Sequence, residues 1–157
     1  MSLKQYIYVG IGKAEWSKAP DVLICKGLGS CVAVCLYDEV KKIGCIIHIL
    51  LPNGEDTDKP YLFANSGIKT ALKEGVKKGM NRDRVWAKIV GGACVFSGIE
   101  NNTIGMRNIT EVKRWLNFFK IPIISEDVGG NYGRNVTFYL ENGKVEVFSF
   151  KKGVILL

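Results

Sequence analysis

Residues 21–50 read DVLICKGLGSCVAVCLYDEVKKIGCIIHIL, and this stretch decides the fold. It holds three apolar runs of strand length, residues 21–25, 32–37 and 43–50, which are rich in Val, Ile, Tyr and Cys. The charged residues 38–42 separate the last two runs, so we predict that these two strands pair as a hairpin.

Further segments of the chain resemble these runs or show the period of a helix. Additional strands are predicted at residues 6–11, 85–90, 121–126, 135–140 and 144–150. The last two are joined across Asn142-Gly143, a dipeptide typical of tight hairpins.

Two amphipathic helices are predicted between the strands. In residues 61–80, apolar side chains recur at intervals of three and four; they are Phe63, Ile68, Ala71, Leu72 and Val76. The second helix is predicted to begin near Asn108, an N-cap residue that Glu111 would complement, and to end before Pro122. It would bury Val112, Trp115, Leu116 and Phe119. We therefore predict an α/β domain of mixed, mostly antiparallel sheets with two outer helices.

Length and composition indicate one ordinary domain over residues 1–157. The 157 residues are 47% hydrophobic and 24% charged, which suits a core that needs no disulfides. We find no apolar run long enough to span a membrane and no export leader, so we expect a cytoplasmic protein without membrane insertion.

The five cysteines indicate reduced thiols. They are odd in number, and their spacing C-x5-C-x3-C-x9-C contains no C-x-x-C pair. With a single histidine, the chain cannot complete the usual zinc-finger pattern, and we predict no metal site. Cys35, Cys45 and Cys94 are interpreted as small core residues.

The net charge of +7 raises the question of nucleic acid binding. The basic residues occur as scattered short pairs such as Lys41-Lys42 and Lys77-Lys78, which are typical of solvated surfaces. We predict no nucleic acid partner, although a mildly basic surface favours an acidic protein partner.

The candidate chemistry lies in the turn Gly27-Leu28-Gly29-Ser30-Cys31 and in His48, the only histidine. A cysteine becomes a nucleophile when an imidazole takes its proton, and His48 is the side chain that can do so near neutral pH. Backbone N–H groups of the turn, around Gly29 and Ser30, could bind a developing oxyanion. From spacing alone, a buried thiol and a hydrogen-bonded core histidine remain an equally open interpretation.

A longer set of short motifs runs in order through nearly the whole chain. These motifs are Gly27-Leu28-Gly29-Ser30-Cys31-Val32-Ala33-Val34, Tyr37-Asp38, Ile43-Gly44, His48 with Leu51-Pro52, Ala87-Lys88-Ile89, Gly91-Gly92-Ala93, Ile104-Gly105, Arg107-Asn108, Glu126-Asp127, Gly129-Gly130 and Gly133-Arg134. Together they resemble the CheD family of chemoreceptor glutamine deamidases.

The resemblance implies a layered α/β/β fold related to deamidating bacterial toxins. It implies hydrolysis of glutamine side-chain amides on the cytoplasmic helices of methyl-accepting chemotaxis receptors, with no cofactor. By position, Cys31 would be the nucleophile and His48 the general base. It also implies a second partner, the CheY-phosphate phosphatase CheC.

One position departs from the family pattern. The third catalytic residue of the family is typically a threonine six positions before the nucleophile, and here Cys25 occupies that position. Because a thiol is a weak donor and acceptor, either activity is reduced or another group, a backbone carbonyl or Asn53, orients the imidazole.

Two alternatives to hydrolysis stay open. The chain would act as a CheC-binding regulator if its own activity were weak or lost, or as a transglutaminase if an amine replaced water. We also predict that the polar loop of residues 52–60 is mobile and forms part of a receptor-docking surface.

Overall fold

The computed structural model describes residues 3–55, 58–95 and 103–157. Ten strands and two α-helices are formed within these ranges. The strands are β1 (Tyr6–Tyr8), β2 (Ala14–Lys18), β3 (Val22–Leu28), β4 (Val32–Asp38), β5 (Ile43–Ile49), β6 (Trp86–Gly91), β7 (Ile123–Val128), β8 (Arg134–Tyr139), β9 (Val145–Ser149) and β10 (Gly153–Leu156). The helices are α1 (Ala64–Lys77) and α2 (Ile104–Phe118).

The strands form two five-stranded sheets. The central sheet has the order β2-β5-β4-β6-β7, and the outer sheet has the order β1-β3-β8-β9-β10. Of the eight pairings between these strands, β1–β3 and β6–β7 are parallel and the other six are antiparallel. The predicted hairpin of residues 32–50 is the β4–β5 pair.

The central sheet separates two hydrophobic cores. Val32, Val34 and Leu36 of β4 face α1 and α2, whereas Ala33, Cys35 and Tyr37 face the outer sheet. Because β4 is buried on both faces, its sequence is a continuous apolar run without the alternation of a half-exposed strand. The layers are therefore helices, central sheet and outer sheet, which confirms the predicted α/β/β sandwich with two outer helices.

The second helix begins earlier than predicted. It starts at Ile104, and the Thr103 side chain accepts a hydrogen bond from the Met106 N–H at 3.3 Å. Asn108 lies inside the helix and is fully buried, so the N-cap prediction was wrong. Asn108 with Glu111 matches the capping pattern, but Thr103, another suitable N-cap residue, stands five positions earlier and begins the helix there.

Other differences lie at the edges of elements. Val76 was predicted to be buried but is 50% exposed near the end of α1. The strands β2 and β10 were not predicted, because both are short. In addition, β2 is partly polar, and β10 is mostly exposed. Among the described residues, no helix is both long and apolar enough to cross a membrane.

Candidate active site

Cys31 lies immediately before β4, at the end of the turn that leaves the outer sheet. Its side chain faces the layer between the two sheets and is 6% exposed. The carbonyl of Cys31 accepts a hydrogen bond from the Gly92 N–H at 2.8 Å. Gly91 is required beside it, since a Cβ there would lie 2.3 Å from the same carbonyl oxygen. The end of β6 therefore holds the backbone of the cysteine at close range.

The turn before Cys31 is anchored through successive carbonyl groups. The Gly29 carbonyl accepts from the Ala93 N–H at 2.8 Å, and the Ser30 carbonyl accepts from the Asn108 side chain at 2.9 Å. No oxygen among the described residues accepts a hydrogen bond from the N–H groups of Ser30 and Cys31. The turn thus has its acceptors satisfied and two donors available.

His48 lies on β5 and faces the same layer as Cys31. Its position on the strand is opposite Ala33, whose side chain belongs to the core between the sheets. Cys31 precedes Ala33 by two residues, so the thiol and the imidazole are diagonal neighbours on one face of the β4–β5 pair. The condition that the catalytic interpretation needs, a shared face, is met.

The two ring nitrogens of His48 have different surroundings. Nδ1 lies 3.2 Å from Cys25 Sγ and 3.4 Å from the Val9 carbonyl oxygen. Nε2 is buried and has no hydrogen-bond partner among the described residues. With the Nδ1 proton donated to the Val9 carbonyl or to Cys25, Nε2 would be the basic nitrogen.

Cys25 reaches the histidine because it shares the inward face of β3 with Leu23, two residues before it. Pairing with β8 shifts between Cys25 and Leu28, and Gly27 within this segment has φ +71°. The extra residue lets both Cys25 and Leu28 point into the core, although an odd spacing would place them on opposite faces of a regular strand. This β-bulge thus follows Cys25 and turns Leu28 into the core before the chain reaches Cys31.

Burial dominates the electrostatics of the three groups. It lowers the pKa of His48 below 6.5, against the effect of the Val9 hydrogen bond. Burial also raises the pKa of Cys31, although its own backbone N–H opposes the shift. The pKa of Cys25 is raised to about 12 by burial and by the neighbouring charge of Cys31. Near neutral pH the resting site is therefore an uncharged thiol beside a neutral imidazole.

The structure separates the other predicted residues from this site. Asn53, one of the groups proposed to orient the imidazole, instead bonds to Glu111 and accepts from Trp115 Nε1 at 3.2 Å. A backbone carbonyl, the other alternative, is present as that of Val9. Cys35 and Cys45 are core residues as predicted, whereas Cys94 is only half-buried. No three His, Cys, Asp or Glu side chains in ranges 3–55, 58–95 and 103–157 are grouped as metal ligands.

Asn108 is the residue at the site that the sequence interpretation missed. Besides the Ser30 carbonyl, its Nδ2 group donates to the Leu50 carbonyl at 3.0 Å. A signal was present in the helical spacing, because Asn108 shares an i, i+4, i+8 stripe with Val112 and Leu116, which are both buried.

The polar loop after β5 lies against both helices. Asn53 contacts α2, and Gly54 exchanges hydrogen bonds with the Asn65 side chain of α1 at 3.2 and 3.1 Å. Residues 56 and 57 of this predicted mobile loop lie outside the described residues.

The fold is thus a layered α/β/β domain that holds a candidate nucleophile, Cys31, and a candidate base, His48, between its two sheets. Comparison with known proteins gives the family. The family model described as CheD chemotactic sensory transduction matches residues 50–149, and the chain belongs to the CheD family.

Relatives match over most of the chain. A protein of Thermotoga maritima named "Chemoreceptor glutamine deamidase CheD" is 44% identical over 140 residues, which cover 88% of each chain. A Caldanaerobacter subterraneus protein named "Probable chemoreceptor glutamine deamidase CheD" is 40% identical over 152 residues, 93% of this chain and 94% of its own. A relative with the same name from Methanosarcina barkeri is 43% identical over 138 residues, 86% of this chain and 91% of its own.

Proposed function

We propose that this protein hydrolyses the side-chain amide of selected glutamines on chemoreceptors to give glutamate. The family and the names of its relatives support this activity. Particular residues are supported for this activity by one observation: Cys31 and His48 share one face of the β4–β5 pair, and Cys25 lies at His48 Nδ1.

The reaction begins with proton transfer from the Cys31 thiol to His48 Nε2. The thiolate attacks the carboxamide carbon, and the oxyanion accepts hydrogen bonds from turn N–H groups, those of Ser30 and Cys31 being available and Gly29 giving room for approach. The C–N bond then breaks as the imidazolium returns its proton to the leaving nitrogen, and ammonia departs.

The second half of the reaction releases the product. His48 Nε2 takes a proton from water, and the hydroxide adds to the thioester carbon. The C–S bond breaks, the thiolate regains the proton, and glutamate is left on the receptor. These steps draw on side chains, backbone N–H groups and water.

Cys25 and the Val9 carbonyl fix the orientation of the ring in this scheme. Both lie at Nδ1, so either can hold the tautomer that leaves Nε2 as the base. The replacement of the family threonine by Cys25 weakens one of two supports, and the carbonyl remains.

The partners and compartment follow from the same proposal. The substrate is the cytoplasmic helical region of a chemoreceptor, so the protein acts in the cytoplasm. A CheC-type phosphatase is the second partner, and the segment after β5 between Pro52 and Pro60 contributes to the receptor-docking surface.

Replacement of Cys31 tests the activity directly. With a purified chemoreceptor cytoplasmic fragment, the wild-type chain should release ammonia and leave glutamate at defined positions, as mass spectrometry detects. Cys31→Ala should abolish both. Cys35→Ala, which removes a buried thiol of β4, should retain both. Equal ammonia release by wild type and Cys31→Ala would contradict the proposal.

The thiol at position 25 favours a second candidate, a CheC-binding regulator with weak or lost deamidase activity. If the protein is such a regulator, Cys31→Ala should bind CheC as tightly as the wild-type protein does, and neither protein should release ammonia. A transglutaminase would instead incorporate a labelled primary amine into the receptor fragment, which the same assay can include.

A further inference from the structure

A fully buried amide side chain joins the two segments that carry the thiol and the imidazole. Asn108 of α2 donates through Nδ2 to the Ser30 carbonyl at 2.9 Å and to the Leu50 carbonyl at 3.0 Å. Ser30 directly precedes Cys31, and Leu50 follows His48 by two residues. One side chain therefore connects the turn that carries Cys31 to the residue that follows β5, the strand of His48.

The two acceptors determine which end of the amide is used. Both are carbonyl oxygens, so the NH₂ group, which has two donors, must face them, and a carboxylate of the same shape would not serve. The position therefore requires a side chain with two donors on one atom.

The bond to Ser30 also orients the next N–H group. In a trans peptide the C=O and the N–H point in opposite directions, so the N–H of Cys31 points away from Asn108. The flanking carbonyls of Gly29 and Cys31 are held by Ala93 and Gly92. The Cys31 N–H is thereby held on the side of the peptide away from Asn108.

The buried Asn108 side chain lowers the stability of the fold through one of its atoms, and packing alone does not explain why it is present. Its Oδ1 is buried without a hydrogen-bond partner among the described residues. An unsatisfied buried acceptor destabilises a fold and is retained most readily where the side chain serves a site.

We propose that Asn108 is a positioning residue, which holds Cys31 and its N–H in register with His48. This inference rests on the proposed function for the roles of Cys31 and His48. Asn108 acts through the two backbone carbonyls that it binds.

The test is a double-mutant cycle on the full chain, read as the rate of Cys31 alkylation by iodoacetamide at pH 7 and followed by mass spectrometry. In the wild-type background, His48→Ala should slow alkylation by about tenfold or more, because the imidazole assists thiolate formation. In the Asn108→Ala background, the same His48→Ala change should alter the rate by less than about twofold, since the pair is no longer held together.

Two further variants sharpen the cycle. Asn108→Asp keeps the shape but has no donors, so it should behave like Asn108→Ala. Asn117→Ala, on the exposed end of the same helix, should leave the His48 effect at its wild-type size. A His48 effect of the same size with and without Asn108 would overturn the proposal, as would no His48 effect in the wild type.

The cycle is independent of receptor chemistry, because no receptor is present. A chain that failed to deamidate receptors would still give an interpretable alkylation rate. If both Asn108 variants failed to fold, NMR of the wild-type protein would decide. Slow solvent exchange of both Asn108 side-chain amide protons would support the proposal, and fast exchange would overturn it.

Discussion

At the scale of single residues, His48 has different groups at its two ring nitrogens. Nδ1 lies near the Cys25 thiol and the Val9 carbonyl, while Nε2 has no hydrogen-bond partner among the described residues. Cys25, six residues before Cys31, therefore contacts the ring together with a backbone carbonyl. Because a backbone carbonyl shares this task, loss of the side chain should reduce activity without abolishing it.

Replacement of Cys25 should have a moderate effect on the rate. Cys25→Val should lower kcat by about fivefold, since a neutral hydrogen bond contributes about 1 kcal/mol and such a change alters a rate by that factor. Cys25→Thr should equal or exceed wild type, because a hydroxyl is the stronger donor and acceptor. Initial rates of ammonia release measure both; full activity in Cys25→Val would show that the thiol does not orient the ring.

The acid side of the pH profile should report on His48. Burial lowers its pKa, and the neutral imidazole is the active form, so activity should be retained down to below pH 6.5 and lost as the pH falls through the lowered pKa. The profile of kcat/KM between about pH 4 and pH 8 measures the acid limb, because this range spans the ordinary pKa of histidine, about 6.5. An acid limb at or above pH 6.5 would contradict the expected direction.

At the scale of elements, glycines let α2 approach the end of β6. A Cβ at Gly105 would lie 2.5 Å from the Ala93 carbonyl oxygen and 2.6 Å from that of Gly92. Gly92 and Ala93 in turn hold the carbonyls of Cys31 and Gly29. The packing of the helix and the position of the nucleophile turn are therefore coupled.

Gly105→Ala should damage both stability and the site. The added methyl meets backbone atoms that cannot move aside, so we expect a loss of about 1–3 kcal/mol in the free energy of unfolding. Alkylation of Cys31 should slow in the variant that remains folded. Urea unfolding measures the first effect, with Gly10→Ala as the control, since a Cβ there meets only a lysine side chain at 3.6 Å. Equal stability of the two variants would argue against this coupling.

Prediction from sequence worked best for elements whose signal is local. The runs that became β4 and β5 and the apolar period of α1 were recognised within a few residues. The start of α2 was not, because Thr103 and Asn108 are both capable N-cap residues and the local pattern does not choose between them. The strands β2 and β10 were not either, because both are short and the pairing of β2 with the distant β5 is a tertiary contact.

At the scale of the whole molecule, two cavities formed by the described residues lie apart from the thiol. A groove of about 830 Å³ runs between α1 and α2, and a depression of about 570 Å³ lies beside Leu51 and Arg107. Neither is lined by Cys31 or His48. Cys31 is 6% exposed, so a substrate must reach it from outside, and a protein substrate can add contacts with the surrounding surface.

Activity should therefore depend on a folded receptor. We expect kcat/KM for a receptor cytoplasmic fragment to exceed that for free glutamine by a factor of about a thousand or more, because remote contacts supply the binding energy. Ammonia release from both substrates at equal glutamine concentration measures the ratio. Comparable values would indicate a small-molecule amidase.

The sequence by itself determined most of the strands and the α/β class and made Cys31 and His48 the candidate pair, because apolar period and residue type are local properties. The tertiary structure decided what surrounds these two residues: the Cys25 thiol and the Val9 carbonyl at His48 Nδ1, and the Asn108 side chain between Ser30 and Leu50. These contacts join residues far apart in the chain, and the fold sets such distances through packing, which no local pattern records.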